Sequence, residues 1–145
     1  MRSFVCLLSA LALIIGCTNP PAKPRAVSTE SLPDPATYTK VQWIDSVKDF
    51  GTINMGDSIQ VSFTCKNIGE KPLFLTQVNP SCGCTVASYS KEAILPGQTG
   101  FVTGTFNSNR SHPGEVRKTI FVTTNTQDGI NHTLTFTGKI VQPVN

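Results

Sequence analysis

Ser58-Ile59-Gln60-Val61-Ser62-Phe63-Thr64-Cys65-Lys66-Asn67, SIQVSFTCKN, is the segment on which the fold turns. Ile59, Val61, Phe63 and Cys65 point to one side, and Gln60, Ser62, Thr64 and Lys66 to the other. That two-residue period is the mark of a half-buried strand. A helix would repeat its apolar residues every three or four positions. No stretch of the chain combines that period with helix caps.

Working outward, Asn67-Ile68-Gly69-Glu70-Lys71-Pro72 reads as a turn. Gly69 is expected at positive φ, and Pro72 stands where the next strand starts without needing a ladder donor. Leu73–Val78 reads as a second strand and Val86–Tyr89 as a short third. Pro96-Gly97 turns the chain into Gly100–Asn107, with Val102, Gly104 and Phe106 on one face. Val116–Thr124 carries Ile120 and Val122 inward. After Gln127-Asp128-Gly129, the segment Ile130–Val141 aligns Ile130, Leu134, Phe136 and Ile140 against threonines. Trp43, Phe50 and Ile53 supply an opening strand. Short strands separated by turn signals predict an antiparallel β-sandwich.

Before this body the composition changes. Phe4–Ile15 is apolar except for Ser9. It is shorter than the ~20 residues a membrane span needs, and it has the size of a secretory leader core. It ends in Leu13-Ile14-Ile15-Gly16-Cys17, which resembles the lipobox of bacterial lipoproteins. That resemblance implies cleavage before Cys17, loss of Cys6, and diacylglycerol and acyl (palmitate-type) modification of Cys17. Two or more acyl chains anchor a protein stably. Residues 1–16 are therefore expected to be a lipoprotein signal peptide. Residues 17–40, which hold five of the ten prolines, are expected to be the lipidated cysteine and a flexible tether. Residues 41–145 are expected to be the sandwich domain. The expected location is the cell envelope, lipid-anchored to the outer membrane and facing the periplasm, because no acidic run follows Cys17.

A net charge of +3, without basic stripes or phosphate-cradling glycine loops, argues against nucleic acid as a partner. No nucleophile elbow, zincin helix or strongly placed carboxylate pair suggests an enzyme. The expected partners are the lipid bilayer, through the acyl anchor, and an envelope protein or glycan.

Asp49-Phe50-Gly51, Gly56, Asn67-Ile68-Gly69 with Pro72-Leu73, Cys82-Gly83-Cys84-Thr85 and Pro96-Gly97 resemble a bacterial family of exported lipoprotein domains of unknown function, family 1573. The likeness runs from about Trp43 to Val141. Cys65 departs from it, standing where the family has an aromatic or aliphatic residue. The resemblance implies an all-β, immunoglobulin-like antiparallel sandwich of about seven strands, related to major sperm protein and ASH-type domains. It implies no activity.

Three thiols fall within the domain: Cys65, Cys82 and Cys84. Export favours disulfides, yet three thiols cannot all pair within one chain. Cys65 bonded to Cys82 or Cys84 would close a loop of about 17 to 19 residues and stabilise by ~3 kcal/mol. A Cys82–Cys84 bond would make a small ring in which Gly83 is expected to be required. Reduced, the pair would suit Cu(I). Left unpaired, the thiols would simply pack a turn. The thiol readings give an alternative function, thiol-redox or copper handling. His132 is expected at the edge of the core and His112 in a solvated loop. Asp45-Ser46-Val47, Asp57-Ser58-Ile59, Asn109-Arg110-Ser111 and Asn131-His132-Thr133 fit short glycosylation patterns that recur by chance, and are expected to be unmodified.

Overall fold

The computed structural model describes residues 35–143. The expected signal peptide, Cys17 and most of the expected tether lie outside the described residues. Eight strands follow a short 3₁₀ turn, Pro35–Thr37. They are β1 (Val41–Trp43), β2 (Val47–Asn54), β3 (Ser58–Asn67), β4 (Leu75–Pro80), β5 (Thr85–Tyr89), β6 (Thr99–Asn107), β7 (Gly114–Thr124) and β8 (Asn131–Val141). A second 3₁₀ turn, Ser108–Arg110, follows β6.

The strands form two sheets, ordered β1-β3-β6-β5 and β2-β8-β7-β4. The expected antiparallel sandwich of about seven strands is observed, with two refinements. There are eight strands, because Trp43 and Phe50 belong to separate strands in different sheets. In addition, β2 runs parallel to β8, while every other strand pair is antiparallel.

β3 spans Ser58–Asn67, and its side chains alternate as its sequence dictates. Val61, Phe63 and Cys65, with Val102 and Phe106 of the adjacent strand, pack with Ile120, Val122, Leu134, Phe136 and Ile140 of the other sheet in one buried cluster. Phe106 and Phe136 meet edge-on at 5.9 Å between ring centroids, and Phe50 lies 6.0 and 6.2 Å from them. Each fully buried aromatic of this kind contributes roughly 1.5–3 kcal/mol. Phe50 reaches them through a bulge in β2 between Asp49 and Thr52, made possible by Gly51 at φ 76°.

The ordered domain starts earlier than Val41. Thr39 is 3% exposed and bridges to Thr126, so the last residues assigned to the tether pack on the sandwich. The reason is local. Thr39 N donates to Asn125 O, Gln127 N donates to Thr39 O, and Ile68 N donates to Lys40 O. These bonds give the segment the burial that its composition lacks. Gly69 is also corrected. Its φ is not positive; it is glycine because a Cβ would stand 2.1 Å from Thr39 Oγ1 and 2.6 Å from Lys40 N.

Candidate functional site: the disulfide corner and the open edge

Between β4 and β5 the chain passes from one sheet to the other. Ser81 still belongs to the first: its N–H donates to Thr119 O at 2.8 Å, and its Oγ accepts from Thr119 N at 3.2 Å. Cys84 already belongs to the second, its carbonyl accepting from Asn107 N at 3.0 Å. The crossing is thus confined to Cys82-Gly83, and a Cys82–Cys84 disulfide closes it with Cα atoms 5.3 Å apart. Of the pairings left open by the sequence, the structure adopts this one. Cys65 is free and fully buried on the inner face of β3, which removes the bond from Cys65 to either partner.

The disulfide links residues only two apart. A loop this short removes little freedom from the unfolded chain, so its entropic stabilisation is only about 1.5 kcal/mol on the chain-entropy account. Gly83 is not required by crowding. A Cβ there would meet only Arg110 Nη2, at an ordinary 3.7 Å, and its φ is not positive. The Arg110 guanidinium lies beside the loop at this point. Ser108, in the same 3₁₀ turn, is fully buried; its Oγ donates to Asp57 O and accepts from Gly56 N, which anchors the turn. Thr85, also buried, places Oγ1 3.8 Å from Cys82 Sγ and 4.0 Å from Cys84 Sγ. With both sulfurs in a disulfide, neither is the thiolate that Cu(I) would need.

β5 leaves this corner as a sheet edge. Cys84 and Ser90 both bond to the β6 side, Ser90 N donating to Phe101 O at 3.0 Å. Antiparallel pairing alternates, so Val86 and Ser88 bond to β6, while Ala87 and Tyr89 turn their N–H and C=O groups outward. The other edges are blunted. β1 has three residues, β2 carries Lys48, Asp49 and a bulge, and β4 has a register shift and ends on Pro80. β5 pairs without a shift and contains no charge or proline. Val86 beside it is 68% exposed, and Phe101 is exposed on the same outer face.

At the far end of the sandwich Trp43 packs on His132, with centroids 5.9 Å apart. His132 Nε2 bonds to Thr124 Oγ1 at 3.0 Å and Thr126 Oγ1 at 3.2 Å. Burial lowers its pKa from the usual 6.5. The imidazole therefore sits at the core edge as expected, engaged by hydroxyls. His112 is exposed. Burial also pushes the Cys65 thiol up, against weaker opposing backbone hydrogen bonds, which keeps it protonated and inert.

Three residues have structural roles that no sequence pattern assigned them. Arg110 is one. Asn67 and Asn125 are the others; both are buried, and both tie the incoming segment to the domain. Asn125 Nδ2 donates to Thr37 O and Pro72 O, and its Oδ1 accepts from Phe74 N. Beside them a groove is lined by Tyr38, Lys40, Glu70, Lys71 and Gln127. Asn67 was detectable, since it continues the inward series of β3 by one more step.

Two facing four-stranded sheets with this order define an immunoglobulin-like β-sandwich. The chain belongs to the family described as "Protein of unknown function (DUF1573)", whose model matches residues 41–140. A protein of unknown function from Porphyromonas gingivalis W83 has the same fold, with a TM-score of 0.64 and 15% identity over 73% of this chain and 49% of that one. This chain thus spans about half the length of that relative. The ASH/PapD-like domain 7 of human CEP192 matches with a TM-score of 0.57 and 14% identity, covering 86% of this chain and 100% of that domain. Part of the Vibrio cholerae VesB protease also matches, with a TM-score of 0.56 and 16% identity, over 72% of this chain and 32% of that one. At these identities the likeness is one of fold alone. No curated protein matches the chain.

Proposed function

We propose that this protein is a lipid-anchored lipoprotein of the cell envelope whose sandwich is a non-catalytic binding or structural module. Cys17 carries the anchor, on the outer membrane facing the periplasm, and the segment after it spaces the domain from the bilayer. The partner is an envelope protein or glycan, and the edge of β5 favours a protein with an extended segment.

The observation that carries the binding role is the open edge at Ala87 and Tyr89, on a strand with no charged residue of its own and next to exposed Val86, with Lys91 Nζ over the Tyr89 ring just beyond it. Sheet edges of this kind accept an added strand through main-chain hydrogen bonds. A Cu(I)-handling role would need the disulfide to be reduced first.

A photo-crosslinking residue at Ser88, introduced in intact cells, tests the edge. Lys139, exposed on the other sheet, serves as the control position. Crosslinks at 88 that are absent at 139 and lost on Ala87→Pro support the reading. Crosslinks that survive Ala87→Pro, or none at 88, remove it. Labelling with a fatty-acid analogue checks the anchor separately and should mark Cys17.

A further inference from the structure

The disulfide corner has three properties that a purely structural crosslink does not need. Its two cysteines differ in burial: Cys84 is 7% exposed, whereas Cys82 is only partly buried and Gly83 between them is exposed. An exposed cation stands beside the loop, with Arg110 Nη2 3.7 Å from the position a Gly83 Cβ would take. Among the described residues, the one ion pair is Lys48–Asp45, so no carboxylate neutralises Arg110. Finally, the buried Thr85 hydroxyl is within reach of both sulfurs and can donate to either.

The flanking residues are held by bonds other than the disulfide. Ser81 is held to β7 by its own N–H and Oγ, Cys84 to β6 by its carbonyl, and Thr85 N donates to Cys82 O at 3.3 Å across the turn itself. None of these hydrogen bonds uses a sulfur, so opening the disulfide removes no partner from any of them.

We propose that Cys82–Cys84 is a thiol–disulfide exchange centre in which an incoming thiolate attacks Cys82 Sγ and Cys84 leaves. In that step the S–S bond of the corner breaks and a new one forms between Cys82 and the attacking sulfur. The electron pair goes to Cys84 Sγ, which becomes a thiolate. The Thr85 hydroxyl and the Arg110 charge stabilise that anion, and a stabilised leaving thiolate departs faster. A second thiol of the partner then attacks the partner's own sulfur in the mixed disulfide and releases Cys82. The partner dithiol ends as a disulfide, two electrons have passed to the corner, and the two thiol protons end on Cys82 and Cys84. The substrate class is an accessible dithiol of another exported protein. The reverse reaction reduces a partner disulfide. Cys65, fully buried, takes no part.

The inference is independent of the docking edge. Glutathione serves as the probe, two molecules replacing the partner dithiol. The full chain is held in native buffer over a series of glutathione ratios, quenched by alkylation, and Cys82 and Cys84 are quantified by peptide mapping. Reversible reduction is expected, with Trp43 fluorescence unchanged. Cys84→Ser should accumulate the glutathione adduct on Cys82. Cys82→Ser should form its adduct on Cys84 at least tenfold more slowly, and Arg110→Gln should slow reduction of the wild-type bond several-fold. A bond that opens only in denaturant overturns the proposal. Equal adduct rates on the two sulfurs also overturn it, as does an unchanged rate in Arg110→Gln. Should either serine variant fail to fold, the native-state reduction of the wild-type chain and the Arg110→Gln rate decide the matter.

Discussion

Asn67→Ala removes the side chain that ties β3, the following turn and the incoming segment together. Asn67 is 0% exposed, and its amide is fully used. Oδ1 accepts from Thr39 Oγ1 and Gly69 N, each at 3.0 Å, and Nδ2 donates to Lys71 O and Ile94 O, each at 2.8 Å. Two donors and two acceptor sites are all an asparagine amide has. At about 1 kcal/mol net per bond, the set contributes about 4 kcal/mol.

The partners left behind decide how much of that is lost. Ile94 O keeps Leu73 N at 2.9 Å, and Lys71 is exposed, so water replaces Nδ2 at its carbonyl. The buried Thr39 hydroxyl and the Gly69 N–H lose the acceptor that holds them. The expected loss is therefore roughly 3–4 kcal/mol, a large part of the about 5–15 kcal/mol by which a domain is stable. Equilibrium urea unfolding of the full chain, followed by Trp43 fluorescence, measures it. Asn67→Asp is nearly isosteric but sets a carboxylate against two carbonyl oxygens, so it should destabilise at least as much. A loss under about 1 kcal/mol for Asn67→Ala, with unchanged denaturant slope, would refute the assignment of Asn67 as a hydrogen-bond hub.

Three further outcomes are expected. His132 has its folded pKa lowered by burial, so as pH falls through its usual 6.5 the unfolded chain binds a proton that the folded site resists. Stability should accordingly fall on acidification, down to the lowered folded value. Melting temperatures measured from about pH 7.5 to about pH 5 should drop less steeply in His132→Gln than in wild type. In Gly138→Ala, the new Cβ would stand 2.3–2.5 Å from three ring atoms of Phe50, an overlap that costs about 1–3 kcal/mol. Phe50→Leu in the same chain should recover part of that loss, and a double-mutant cycle measures the coupling. Cys65 should resist alkylation in native buffer and react once the chain is unfolded, as mass spectrometry of the labelled peptide would show.

What could be read in the sequence follows the distance over which each signal acts. The alternation of Ser58–Asn67 is set by neighbours two residues apart, and β3 occupies those residues. The direction of Cys65 came with it. The parallel pairing of β2 with β8 is different in kind. It depends on where Ile44–Ser46 carries the chain from one sheet to the other, and no local period records that. The cysteine count narrowed the pairings without choosing one, since the choice rests on how β4 and β5 approach each other. Arg110 reaches Gly83 only because Ser108 anchors its turn on the loop after β2, a contact far apart in the chain.

Asn67 stands between these cases. Its alternation was plain, yet a polar residue at an inward position reads as the start of a turn unless one asks where its four hydrogen bonds go. β7 repeats the pattern. Val116, Ile120 and Val122 point inward, and the series ends on Thr124, fully buried and bonded to Thr126 and His132. In both strands the first inward polar residue after a clean apolar series marks where a loop is tied to the core. That follows from the cost of burying an unpaired polar group, which only a ready set of partners offsets. The end of a strand, where loop backbone converges, is where such partners are available.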